Sequence, residues 1–142
     1  MEQSLEEILN LLLESERAGI VALEALAGQV EHDELKRLLL TSKEDEAADA
    51  CRLEELIRAG GGKVSQQVGH FAAKVAGAPS LRARLNLLIR GEEWVARKIE
   101  QALALAPAAG PVRDCLEKMA RRHRFEVEWG RAELIRLMNV LA

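Results

Sequence analysis

The sequence predicts an all-α fold, an antiparallel four-helix bundle with one long crossover connection. Four long stretches repeat apolar residues at intervals of three and four, which is the spacing of one inward-facing stripe along a helix. Short connections join the first stretch to the second and the third to the fourth, whereas about 20 residues separate the second from the third. Residues 1–142 are expected to form one domain, because a chain of this length can bury a single substantial core.

Turn and capping signals delimit the predicted helices. Ser4 and Glu7 have the spacing of a capping box at the start of the first helix. Gly60 to Gly62 ends the second helix, Pro79 precedes the third, and Pro111 suits the first turn of the fourth. The predicted spans are about 4–29, 33–59, 80–105 and 111–141, with a short extra helix at about 68–76 inside the crossover.

Composition and charge exclude several classes of function. The chain is 49% hydrophobic and 30% charged, as soluble globular proteins are, and its formal charge of −3 gives no reason to expect nucleic acid or a membrane surface as a partner. No apolar run approaches the roughly 20 residues that span a bilayer, and the N-terminus does not begin a signal peptide. Cys51 and Cys115 form no CxxC pair, so we expect reduced thiols and a cytoplasmic protein.

Ionisable residues interrupt the apolar stripe near the middle of every long helix. In the second helix the stripe is apolar at both ends, at Leu35 and Leu56 for example, and acidic at its centre. An unpaired carboxylate in a core costs several kcal/mol, so these groups should be paired, solvated through a cavity or bound to a cation. The residues concerned are Glu16, Glu46 with Asp49, Glu92, and His123 with Glu126.

Carboxylates and one imidazole that converge from facing helices favour Fe(II) or Mn(II) over a structural zinc site, which more often uses sulfur. Dimetal bundles combine single glutamates with Glu-x-x-His pairs. Here Glu46 and Asp49 have the i, i+3 spacing with Asp in place of His, while His123 and Glu126 have the reversed order. All six residues are nevertheless predicted ligands for one or two iron or manganese ions, with an open position that could meet O2 or a peroxide.

Two alternatives remain open from the residues alone. The acids could form internal ion pairs in a non-catalytic helical module that acts in assembly or partner binding, since Arg17, Arg52, Arg90, Arg122 and Arg124 lie nearby in sequence. The same carboxylates could instead line a pocket for a cationic small molecule without metal. Glycines inside three helices (Gly19, Gly91 and Gly130) would serve close packing or leave room near the acids. A homodimer is compatible with such a bundle.

Short motifs across most of the chain resemble the ferritin-like superfamily, and within it an uncharacterised bacterial group of ferritin-like domains of unknown function. The matching segments are Leu13 to Gly19, Asp45 to Ala47 with Cys51, Arg90 to Lys98, and His123. The resemblance implies ferritin-like topology. It also implies, by analogy, a metal-binding protein, for example an O2- or peroxide-dependent oxidase of unknown substrate, or ferroxidation.

Overall fold

The computed structural model describes residues 1–141, in which helices are joined by turns and loops without any strand. The predicted all-α class is therefore confirmed. Ala142, the last residue of the predicted domain, lies outside the described residues. No helix in residues 1–141 is long and apolar enough to cross a membrane. The five helices are α1 (Gln3–Ala27), α2 (Asp33–Ala59), α3 (Phe71–Ala76), α4 (Leu81–Leu105) and α5 (Pro111–Leu141).

The helix starts differ in detail from those predicted. The prediction of a capping box at Ser4 was wrong, because Glu2 occupies the N-cap position of α1 and no side chain caps this end. The short helix in the crossover begins at Phe71 rather than near Val68. At the start of α4 the Ser80 hydroxyl accepts a hydrogen bond from the Ala83 amide at 3.1 Å, which satisfies one of the free N–H groups of the first turn.

The core consists of two apolar layers, with the predicted polar residues between them. One layer contains the N-terminal half of α1 and the C-terminal halves of α2 and α4, represented by Leu9, Leu53 and Ile99. The other contains the opposite halves of the same helices, represented by Leu26 and Leu85. Helical periodicity alone accounts for this arrangement, since the apolar positions of each helix fall on one face above and below the polar positions.

The layers also fix the directions of the helices. The N-terminal half of α5 lies in the first layer with the C-terminal half of α4, so these two helices run in opposite directions, as α1 and α2 do. Helix α2 ends in the first layer and α4 begins in the second. The segment between them, residues 60–80, must therefore run the length of the bundle.

Polar side chains of α1 hold this crossover in place. The Asn10 amide nitrogen donates to the Lys63 carbonyl at 2.9 Å, and its oxygen accepts from the Ser65 amide at 2.8 Å. About two turns further along α1, the Arg17 guanidinium donates to the carbonyl oxygens of Ser65 and Gln67 at 2.7 and 3.0 Å. Backbone groups of the crossover that form no regular secondary structure are satisfied in this way, and the segment lies along α1.

Candidate metal centre

Four helices bring the six predicted ligands to the polar layer, and all six are buried. Helix α1 contributes Glu16 and α4 contributes Glu92, each from the middle of its inward face. The remaining four are Glu46 and Asp49 from α2 and His123 and Glu126 from α5. Five carboxylates therefore share one buried layer, which requires cations nearby because isolated buried charges are very costly.

Arg122 supplies one of these cations, and it was not among the predicted site residues. Its Nε donates to Asp49 Oδ2 at 3.0 Å, and its Nη1 donates to Glu126 Oε1 at 2.7 Å. Its Nη2 donates to Glu16 Oε2 at 3.1 Å. The side chain is only 12% exposed. One guanidinium therefore contacts three acids and ties α5 to α1 and α2 through two of them, Glu16 and Asp49, so this part of the layer is an ion-pair network.

The two ring nitrogens of His123 face different partners. Nε2 lies 2.8 Å from Glu16 Oε1, at hydrogen-bond distance. On the opposite side of the ring, Nδ1 is in contact with Glu92 Oε2 and lies 4.0 Å from Glu126 Oε2. Metal-binding histidines commonly donate one ring N–H to a carboxylate, which fixes the tautomer and leaves the second nitrogen as the ligand. Glu16 is positioned to orient His123 in this way.

Four buried polar atoms of this layer lack a well-formed hydrogen bond, although two of them, His123 Nδ1 and Glu92 Oε2, contact each other as an ion pair. They are Nδ1 of His123 and one Oε2 atom each of Glu46, Glu92 and Glu126. One ligand atom from each of His123, Glu92 and Glu126 lies within 4.8 Å of the other two. Ligands of one ion at bond lengths of about 2.1 Å lie no more than about 4.2 Å apart, so shifts of a few tenths of an ångström would bring these atoms around a common cation.

Burial and mutual repulsion favour protonation of two acids of the layer, Glu126 and Glu46. Burial, followed by the charge of Glu92, raises the pKa of Glu126 to about 9. The same two causes, in the same order, raise the pKa of Glu46 well above its usual value. Without a further cation, these carboxyl groups would hold protons at neutral pH. A bound divalent ion would supply the missing positive charge and displace those protons.

The His123 imidazole has the opposite electrostatic character. Burial lowers its pKa, but the charges of Glu92 and Glu16 outweigh burial and raise the pKa to about 10. For Glu92, burial raises the pKa, and the charge of His123 more than compensates, so that the pKa lies below its usual value. In the metal-free protein, an imidazolium between two carboxylates is therefore the favoured form. Metal binding at Nδ1 must release that proton.

Gly19 allows Glu46 to reach the polar layer. A Cβ atom at Gly19 would lie 2.0 Å from Glu46 Oε1, which no real side chain tolerates. Of the two functions predicted for the helical glycines, Gly19 thus leaves room for an acid. The other two serve packing, because a Cβ at Gly91 would meet the Phe71 ring at 2.5 Å and one at Gly130 would meet Ile89 at 2.9 Å.

The structure therefore brings the six predicted residues into one layer but divides them by their partners. Asp49 contacts Arg122, and Glu16 contacts both Arg122 and His123. Glu92 and Glu126 lie near His123 Nδ1, Glu126 also contacts Arg122, and Glu46 keeps one buried oxygen without a partner. The sequence contained a signal for the missed arginine, since Arg122 and Glu126 have the i, i+4 spacing that places two side chains on one helix face.

Comparison with known proteins gives a family and no function. No curated protein shows significant similarity to the chain. A family described as a domain of unknown function, DUF6306, matches residues 3–133, which include the predicted ligands and Arg122. Because this match extends over most of the length of the chain, the chain belongs to the DUF6306 family.

Proposed function

We propose that the chain binds one Fe(II) or Mn(II) ion through Glu46, Glu92, His123 and Glu126. The observation that carries the proposal is that these four residues, and no others among residues 1–139, contribute buried polar side-chain atoms without a well-formed hydrogen bond, although His123 Nδ1 and Glu92 Oε2 contact each other. Buried polar groups are nearly always satisfied, so the unpartnered oxygens of Glu46 and Glu126 in the same layer as this contact indicate a missing partner. An oxygen-rich set with a single imidazole suits iron or manganese better than zinc.

The same contacts favour one ion over two. Glu16 and Asp49 direct oxygens at the Arg122 guanidinium, and a second cation beside that group would be repelled. In this proposal Glu16 supports His123 from behind and Asp49 is an ion-pair partner, so that neither contacts the metal. The proposal thus keeps four of the six predicted ligands and assigns a supporting function to the other two.

The proposal extends to the fold: we infer that the bundle has ferritin-like topology. Two helix pairs with short connections, joined by one crossover that runs the length of the bundle, support this inference. The polar layer, to which all four long helices contribute side chains, also supports this inference. The short helix α3 belongs to the crossover in this arrangement, and the four-helix core consists of α1, α2, α4 and α5.

A bound ferrous or manganous ion would supply a redox-active centre able to react with O2 or a peroxide, so oxidation of an unidentified substrate is the proposed reaction class. The chain's own contribution is positioning. Glu16 fixes the His123 ring, and the two apolar layers limit water around the carboxylates. Glu46 and Glu92 both line an open cleft, which gives small molecules access to the site.

Arg122 favours a second candidate, a non-catalytic bundle with a structural ion-pair core. One guanidinium already contacts three of the five carboxylates, as expected for an internal network. In that case Glu46 and Glu126 would stay protonated and His123 would stay cationic. The network would then specify how the helices assemble, and the protein would retain no metal.

Elemental analysis of matched variants separates the two candidates. The protein would be purified without chelator or metal-affinity steps after growth with added iron and manganese. We expect about one equivalent of metal in the wild type and in Asp49→Asn, and almost none in Glu92→Gln or His123→Gln, with circular dichroism to verify folding. Wild-type protein that holds no metal, even after reconstitution, would contradict metal binding and support the ion-pair core.

A further inference from the structure

An open cleft of about 450 Å³ leads from the surface to the inner acids. Residues of α1, α3 and α4 form its walls, and buried Glu46 and Glu92 lie at its inner end. This volume lies within the range of small-molecule sites, about 300–1,000 Å³. The cleft therefore has room for an organic ligand that reaches the carboxylates from outside.

The walls of the cleft are mainly apolar. Phe71 of the crossover lines it together with Leu87, Trp94 and Val95 of α4, and Ala18 of α1 contributes a small side chain. The absence of a side chain at Gly91 lets the Phe71 ring lie directly against α4. Aromatic and aliphatic walls of this kind favour the unbranched or ring-shaped apolar body of a ligand.

Three cations surround the solvent end of the cleft. Lys74, Arg90 and Arg97 line it and are exposed, and none of them forms an ion pair with an acid in residues 1–141. Glu14 also lines the cleft and accepts a hydrogen bond from the Ser65 hydroxyl at 2.8 Å, and its single negative charge is outnumbered by the three cations. The charge that this end of the cleft presents to a ligand is therefore positive.

We propose that this cleft binds an amphipathic carboxylate, with its charged head at Lys74, Arg90 and Arg97 and its apolar body along Phe71 and Trp94. The far end of the body then points toward the inner acids. As an assignment of the substrate class, this inference rests on the proposed metal function. The binding itself does not, because the groups that hold the ligand lie outside the metal site.

Trp94 provides a reporter for the test. The chain has two tryptophans, so Trp129→Phe leaves Trp94 as the only one. Chelator-treated Trp129→Phe protein would be titrated with octanoate. Octylammonium serves as a cation of equal chain length, and acetate serves as a carboxylate without a long apolar chain. We expect a saturable change in Trp94 emission with octanoate alone. Ligand-observed NMR on the wild-type chain provides the same comparison without the substitution.

Charge-removing variants test where the head binds. Loss of one charge-assisted contact should weaken octanoate binding roughly 10-fold, so Arg90→Ala and Arg97→Ala should each do so. Arg82 is an exposed arginine of α4 that does not line the cleft. The affinity of Arg82→Ala for octanoate should therefore stay at the wild-type value.

Each outcome has a defined meaning. Octanoate that fails to saturate folded protein, tighter binding of octylammonium, or equal losses in Arg82→Ala and Arg90→Ala would overturn the proposal. Metal content measured on the same preparations before chelator treatment distinguishes the two hypotheses. Octanoate binding without retained metal would support the ligand class and contradict the metal function, whereas retained metal without octanoate binding would contradict the ligand class alone.

Discussion

Glu16 Oε1 lies 2.8 Å from Nε2 of His123, although the two residues belong to α1 and α5 and are 107 positions apart in the chain. The contact leaves Nδ1 of the same ring toward Glu92 and Glu126. A carboxylate behind a metal-binding imidazole raises the basicity of the ligand and fixes its orientation. The central claim of the proposed function depends on this pair.

Substitution of Glu16 by Gln should weaken metal binding without removing the site. The amide cannot accept the Nε2 proton as strongly, and losses of such supporting partners typically reduce metal affinity about 10- to 100-fold. Competition with a chelating dye would measure this loss. Glu14→Gln, on the same helix but in contact with Ser65, should retain the wild-type affinity. An unchanged affinity in Glu16→Gln would show that Glu16 does not support the ligand.

Substitution of Gly19 by Ala should lower the metal affinity without lowering the stability of the metal-free protein. The new methyl group would displace the Glu46 carboxylate, whose flexible side chain can rotate into the cleft. Helical Ala is favoured over Gly by about 0.5–1 kcal/mol, so the metal-free protein should unfold at a similar or higher urea concentration. Metal affinity should fall. Gly28→Ala, where a Cβ meets only ordinary contacts, is the control.

Removal of Arg122 should destabilise the metal-free protein strongly. Arg122→Ala leaves Glu16, Asp49 and Glu126 without their guanidinium, and loss of one partner from a buried ion pair costs about 3–5 kcal/mol. Urea denaturation would measure the free energy of unfolding. Arg124→Ala changes an exposed neighbour and should alter stability by less than about 0.5 kcal/mol. Similar small effects in both variants would contradict the assigned network.

The stability of the metal-free protein should fall as the pH rises. Glu126 and His123 have folded-state pKa values of about 9 and about 10, above their unfolded values of 4.5 and 6.5. The folded state therefore binds more protons than the unfolded state between pH 6.5 and 9. Each such proton makes the free energy of unfolding fall by at most about 1.4 kcal/mol per pH unit in this window.

Urea titrations of chelator-treated protein between pH 6.5 and 9 would measure this slope. Glu126→Gln keeps an oxygen acceptor for Arg122 and removes the titrating group, so its slope should be shallower. The affinity for added Mn(II) should have the opposite pH dependence and increase with pH, because the ligands must lose their protons before they bind the ion. Stability that increases with pH in the metal-free protein would contradict the assigned protonation.

The fold and the buried layer followed from periodicity, whereas the partners within the layer did not. Each helix has its apolar and ionisable residues on one face, so the burial of Glu16 and Glu92 could be predicted from spacing. Arg122 lies beside that stripe and enters the layer through its long side chain. Spacing along one helix cannot show which acids of other helices a flexible guanidinium will contact.

A pocket lined by the carboxylates was one of the alternatives drawn from the sequence, but the apolar walls and the cationic entrance of the cleft could not be predicted. It exists because the crossover lies along α1, and because the Phe71 ring fits against the bare backbone of Gly91. Both contacts join segments that are distant in the chain. The sequence indicated a crossover and an unexplained helical glycine, but only the packed structure relates them to each other and to the inner acids.

An anomalous difference map from crystals of the protein soaked in Mn(II) would test the central claim most directly. The account predicts one peak per chain, bonded to His123 Nδ1 and to carboxylate oxygens of Glu46, Glu92 and Glu126. It predicts no peak between Glu16 and Asp49, where Arg122 lies. A map without a peak at His123, or with an ion that displaces Arg122 from Asp49, would contradict it.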